Sequence, residues 1–212
     1  MDFVDTEYFT FLDDDDWFLP NGIATMIAKI TEGYAAVFAS CLRSTDGATA
    51  GVTHGVVGEF GCSEYICGKL EGEFAVIFRS DALGELRFDA EQYGAESVLW
   101  GKVLRDKKMY YMDFAAKMYR VGHTSVMTTL FDNATRGLVC YQNLISEFSD
   151  DLLEYCPKTL VRYYSLMYLY ASLSGDVNAK KEALSRLIAL RGYMSLSAAK
   201  TFIAAFLPLF VI

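Results

Sequence analysis

Tyr8-Phe9-Thr10-Phe11-Leu12-Asp13-Asp14-Asp15-Asp16-Trp17-Phe18-Leu19-Pro20 decides how the rest of the chain is read. An apolar, aromatic run of strand character stops in four consecutive aspartates. Pro20 then suits the first turn of a helix continuing through Ile23, Met26, Ile27 and Ile30. Carboxylates crowded beside a buried strand repel one another unless a positive charge neutralises them. A hard divalent cation meets that need, because Mg²⁺ or Mn²⁺ takes oxygen ligands and is often shared with substrate phosphates. A solvated loop is the plainer alternative for a charge run. A calcium loop of the helix–loop–helix type is excluded, since the position for its closing Glu falls on Ala24, Thr25, Met26 or Ile27. The cluster follows the end of a strand, which is where open α/β sheets place their ligands.

In that setting, Phe11-Leu12-Asp13-Asp14-Asp15-Asp16-Trp17-Phe18-Leu19-Pro20 resembles the strand-end motif of family 2 glycosyltransferases, inverting enzymes of GT-A fold. Their pattern is an apolar pair, Asp-x-Asp-Asp, an aromatic and a Pro shortly after. The resemblance implies a divalent metal, Mn²⁺ or Mg²⁺, on Asp15 together with Asp13 or Asp16. Asp15 and Asp16 are taken as the metal ligands, and Asp13, Asp14 and Arg79 as contacts to a nucleotide-sugar donor.

Downstream, residues 21–31 read as an amphipathic helix and residues 34–42 as a buried strand, with Thr45-Asp46-Gly47 as a turn. Strand–helix–strand at this spacing fits an α/β unit with parallel strands. The seven glycines between residues 46 and 72 are dispersed, so the stretch reads as a flexible connection at the rim of a site, with no phosphate-cradling loop. Residues 71–80 return to strand character, and Ser80-Asp81 caps a short helical turn. Arg79 ends that strand, where the family carries a basic or polar residue; its guanidinium suits a carboxylate or a phosphate.

Leu99, Trp100, Val103 and Leu104 lie at helical spacing and put Glu96 in the first turn, where a helix favours a carboxylate. The family opens this helix with Glu-Asp, the Asp acting as base toward the acceptor hydroxyl. Ser97 stands at the Asp position and is a poor base at neutral pH, which leaves Glu96 as the candidate. Residues 108–112 and 116–121 read as two short strands, the second carrying Tyr119-Arg120 as the family's last core strand does. The resemblance spans residues 8–121.

From residue 135 the pattern is helical, over 137–148, 160–173, 179–190 and 198–206, with Pro157 at a start and Gly175 and Gly192 at ends. Tyr163, Tyr164, Tyr168 and Tyr170 cover most faces of one helix. Several must therefore meet another surface: the protein's own core by default, otherwise a second copy in a homo-oligomer or a lipid headgroup region.

The fold class expected is α/β. A partial GT-A-like (Rossmann-related) mixed sheet occupies residues 1–134, and a C-terminal helical region occupies 135–212. The family builds its nucleotide pocket from strands preceding the Asp motif, and only seven residues precede Tyr8. The expectation is a C-terminal portion that carries the metal edge and acceptor side and lacks the nucleotide-binding half.

Composition narrows the partners. With 53% hydrophobic residues and three prolines, the 212-residue chain can bury a core. A net charge of −8 argues against nucleic acid. The five cysteines form no zinc pattern with His54 or His123 and read as reduced thiols of a cytoplasmic protein. The acidic start Met1-Asp2-Phe3-Val4-Asp5 is unlike a signal peptide. The apolar run 202–212 is too short to span a bilayer and reads as core or as an interfacial contact at the inner membrane face. The function expected is inverting sugar transfer from a nucleotide sugar to a carbohydrate or lipid-linked acceptor. The alternatives are an inactive remnant serving as an interaction module and a membrane-surface adaptor.

Overall fold

The computed structural model describes residues 4–87, 96–121 and 134–193. They belong to two compact units, one of residues 1–88 with 99–123 and one of residues 89–98 with 124–212.

The first unit is built on a mixed sheet. Its strands are β1 (Tyr8–Thr10), β2 (Trp17–Phe18), β3 (Ala36–Arg43), β5 (Gly58–Phe60), β7 (Phe74–Arg79) and β8 (Met109–Tyr119), while β4 (Gly51–Val52) and β6 (Glu71–Gly72) form a separate two-stranded ribbon. The order is β1-β7-β3-β8-β2, with β5 also on β8. β3 and β8 run parallel; the other pairings in this sheet are antiparallel. The helix α1 (Gly22–Ile30) joins β1 to β3, which run in the same direction with β7 between them. The fold class is thus the expected GT-A-like α/β.

The apolar run of β3 explains its central place. Six successive residues from Ala36 are buried, as a strand covered on both faces requires. Alternation sends Val37, Ala39 and Cys41 to one face, where Met26 and Ile30 of α1 and Ile77 and Ala116 complete a cluster. Ala36 and Phe38 face the other side with Phe78, Val103, Leu104, Met109 and Tyr111. There the Trp100 ring stacks on Phe78 at 4.4 Å between centroids.

Three expectations need revision. The region from residue 46 to 72 is structured: it holds β4, β5, β6 and the short helix α2 (Cys62–Ile66). Residues 109–119 form one strand, and its register slips against β3 around Ser40, which absorbs the break the sequence suggested. Pro20 lies ahead of α1, whose entry is set by Asn21 in the left-handed region (φ 63°).

α3 (Ser80–Leu83) follows β7 as expected, and α4 (Glu96–Leu104) carries Glu96 in its first turn. In the second unit α5 (Ala134–Tyr155), α6 (Pro157–Ser174) and α7 (Val177–Ala189) pack in sequence. Pro157 opens α6, and Gly175 closes it with the left-handed φ of 78° that glycine tolerates. Tyr164 and Tyr168 are buried, while Tyr163 and Tyr170 meet Tyr141 of α5, so the α6 tyrosines pack within their own bundle. The expected helix 198–206, the segment 202–212 and His123 lie outside the described residues. Among those described, no helix is long and apolar enough to cross a membrane.

Candidate functional site

Asp13 to Asp16 form a tight turn after β1, closed by the Asp16 N–H donating to the Asp13 carbonyl at 3.1 Å. The turn feeds straight into β2, whose Trp17 and Phe18 pair with Met118 and Lys117 of β8. The Leu19 N–H then donates to the Ala116 carbonyl at 2.9 Å. The last residues of β8 therefore fix the turn at the carboxyl ends of the parallel strands β3 and β8.

The four carboxylates divide by burial. Asp13 and Asp14 are exposed, Asp15 is half-buried and Asp16 is buried. Asp16 Oδ1 accepts the Arg120 backbone N–H at 2.9 Å. Lys117 Nζ lies 2.8 Å from Asp16 Oδ2, and the two side chains are only 6% and 0% exposed. The ammonium approaches Oδ2 obliquely, so charge attraction more than a directed hydrogen bond carries this contact. Glu73, just ahead of β7, is 4.0 Å from the same ammonium.

This electrostatic cluster holds residues that the motif alone did not reveal. Burial alone would depress the Lys117 pKa, but contact with Asp16 and the surrounding negative groups reverse the effect and leave it raised. Burial raises the Glu73 carboxyl, Lys117 opposes that, and the charges of Asp13 and Asp16 add to it. Burial also raises Tyr119, helped by Glu73, Asp16 and Asp13. A lysine in mid-strand, in the otherwise uncharged run Phe114-Ala115-Ala116-Lys117-Met118-Tyr119, was the available sequence signal.

Cys41 lies beneath this cluster, fully buried, and burial pushes its thiol up to about 12. The sign follows directly. Between pH 9 and about 12 an unfolded thiol ionises while the native one stays protonated, so Cys41 makes stability fall across that window. We expect Cys41→Ala to flatten the alkaline side of the pH–stability curve, and Cys41 to resist alkylation at pH 8 until the chain is unfolded. Alkylation of the folded chain at Cys41 as fast as at Cys62 would contradict this. Cys41, Cys62 and Cys140 are outside any disulfide, whereas Cys67 and Cys156 are disulfide-bonded, which corrects the expectation of five reduced cysteines.

Arg79 is not brought to the aspartates. It pairs in register with Tyr8, at the start of β1, and its N–H donates to the Ala35 carbonyl just before β3, whereas the aspartate turn sits at the carboxyl ends of β3 and β8. Its guanidinium grips Asp81, with Nε 3.0 Å from Oδ1, and lines a cavity of about 270 Å³ with Lys107 and Lys108. Glu96 is exposed in the first turn of α4, with Ser97 beside it half-buried.

Among the described residues no group of three or more His, Cys, Asp or Glu is placed to hold a metal ion. A Mg²⁺-like cation needs only one or two protein carboxylates when substrate phosphates complete its shell, and Asp13 and Asp15 offer hard oxygen donors of that kind. The donor chemistry fits.

Residues 1–74, which contain the whole turn, match the family model described as Glycosyl transferase family 2. The chain is also 30% identical over 201 residues to the GalNAc(5)-diNAcBac-PP-undecaprenol beta-1,3-glucosyltransferase of Campylobacter jejuni. The chain belongs to glycosyl transferase family 2. That alignment takes in 90% of this chain and 64% of the relative, so the chain spans less than two thirds of the curated protein's length. Within this family 2 chain the matched segment runs from β1 to the start of β7, while Lys117 and Glu96 fall beyond it.

Proposed function

We propose that the chain carries the metal edge and acceptor side of an inverting glycosyltransferase, which moves a sugar from a nucleotide-sugar donor to an acceptor hydroxyl. The observation that carries this reading is the carboxylate turn at the carboxyl ends of β3 and β8, inside the family-matched segment. Asp13 and Asp15 would hold a divalent cation, which neutralises the departing diphosphate. Asp14, exposed on the same turn, would contact the donor. Glu96, exposed and at a helix N-terminus, keeps the role of base toward the acceptor.

The relative's name specifies an undecaprenyl-diphosphate-linked acceptor, and that supports a lipid-linked saccharide as acceptor here. Peripheral contact with the inner membrane face would bring the chain to such a substrate. Calorimetry with Mn²⁺ and a panel of nucleoside diphosphate sugars tests the metal role. Asp15→Ala is expected to weaken binding by at least about tenfold, or ~1.4 kcal/mol. Unchanged binding would remove Asp15 from the site.

Ser97, standing where the family has its basic Asp, favours a second reading: an interaction module that keeps the fold without turnover. Sugar transfer or donor hydrolysis by the purified chain would exclude it.

A further inference from the structure

The four aspartates are alike in sequence but not in position. Asp13 and Asp14 stand in solvent and Asp15 is half-buried, while the Asp16 carboxylate lies fully beneath the turn. Both of its oxygens are engaged from the end of β8, Oδ1 by the N–H of Arg120 just past the strand and Oδ2 by the Lys117 ammonium. Lys117 comes from the strand that also receives Trp17, Phe18 and Leu19 through backbone pairing. Side-chain charge and main-chain hydrogen bonds thus fasten the same few residues from both sides.

We propose that Lys117 is a positioning residue of the aspartate turn: as a built-in cation it holds Asp16 permanently, withdraws that carboxylate from the metal-ligand set and presents Asp13 and Asp15 outward. Three features converge on this. A hydrated divalent cation needs accessible oxygens, and Asp16 offers none. Moving Asp16 onto a metal would leave a buried ammonium with only Glu73 at 4.0 Å, which is costlier than using exposed Asp13 with half-buried Asp15. Finally, Glu73 lies 4.0 Å from the same ammonium, so Lys117 stands between two carboxylates and its charge is compensated without Asp13 or Asp15.

The inference rests on the reading of the turn as a metal–diphosphate site, and one set of measurements separates the two. Mn²⁺ alone is titrated into the chain and counted by electron paramagnetic resonance, with melting curves run in parallel. Asp13→Asn should weaken Mn²⁺ binding about tenfold or more. Asp16→Asn should weaken it similarly, because Lys117 then stands beside the turn with only Glu73, 4.0 Å away, to offset its charge. Adding Lys117→Met to Asp16→Asn should restore affinity to within about threefold of the unsubstituted chain, a coupling that a ligand role for Asp16 cannot produce. A double variant as weak as Asp13→Asn, with the unsubstituted chain binding Mn²⁺, overturns the positioning role alone. No Mn²⁺ binding by the unsubstituted chain overturns the metal reading and the positioning role with it. A second measurement needs no substitution. The Arg120 amide, whose acceptor is Asp16, should keep its hydrogen-exchange protection when Mn²⁺ is added. Loss of that protection would mean that Asp16 turns to the metal, and would overturn the assignment.

Discussion

Lys117→Met is expected to destabilise the first unit by about 3–5 kcal/mol at pH 7, the cost of leaving one buried partner of an ion pair uncompensated. Methionine follows the path of the lysine stem, so packing against its neighbours changes little and the loss reports on charge. Asp16, 0% exposed in its side chain, would keep only the Arg120 N–H against its negative charge, with Glu73 nearby to repel it. Two exposed pairs give the scale for comparison. Lys29–Glu32 and Arg43–Asp46 are i,i+3 contacts whose carboxylates are about half-exposed to solvent, and breaking either should change stability far less. Chemical denaturation of the three charge-removal variants side by side checks the ranking. A Lys117→Met chain as stable as the Arg43 variant would show that the buried pair contributes nothing.

The parts of the fold that could be read from the sequence were those whose pattern is local. β1, α1, β3, β7 and the helices α4 to α7 follow from runs of apolar residues with period 2 or 3.6, and from Pro157 and Gly175 as punctuation. What escaped was set by pairing across the sheet. Residues 46–72 look like a glycine-rich loop because their strands are two or three residues long, too short to show alternation; they exist only because β8 and a partner ribbon receive them. The site shows the same division. Asp13 to Asp16 announce themselves as four neighbours in sequence, but their distinct burial depends on Lys117, 101 positions after Asp16, reaching back across β2. The place of Arg79 was hidden for the converse reason. It ends a strand, as expected, but β7 is antiparallel to β1 and β3, so its last residue lies beside the first residues of both, away from the aspartates.

Gly22→Ala should destabilise the chain by about 1–3 kcal/mol, although intrinsic helix propensity alone would make alanine better by roughly 1 kcal/mol. Gly22 opens α1 against β8, and a Cβ there would stand 2.4 Å from the Ala116 carbonyl oxygen and 3.2 Å from that residue's carbonyl carbon and Cα. These are backbone atoms of a paired strand, and the same carbonyl accepts the Leu19 N–H, so no rotamer change relieves the clash. Relief requires α1 to move outward. That movement draws Met26 and Ile30, both essentially unexposed, away from Val37, Ala39 and Ile77. It also loosens the Leu19–Ala116 bond that fixes the chain just after the aspartate turn. Two measurements should therefore shift together in this variant: the denaturation midpoint falls and Mn²⁺ affinity weakens, even though Gly22 has no side chain to offer a metal. A midpoint unchanged or raised would mean that α1 can ride over β8 without its glycine. A lowered midpoint with unchanged Mn²⁺ affinity would mean that the turn is held by β2 and the Lys117–Asp16 pair alone.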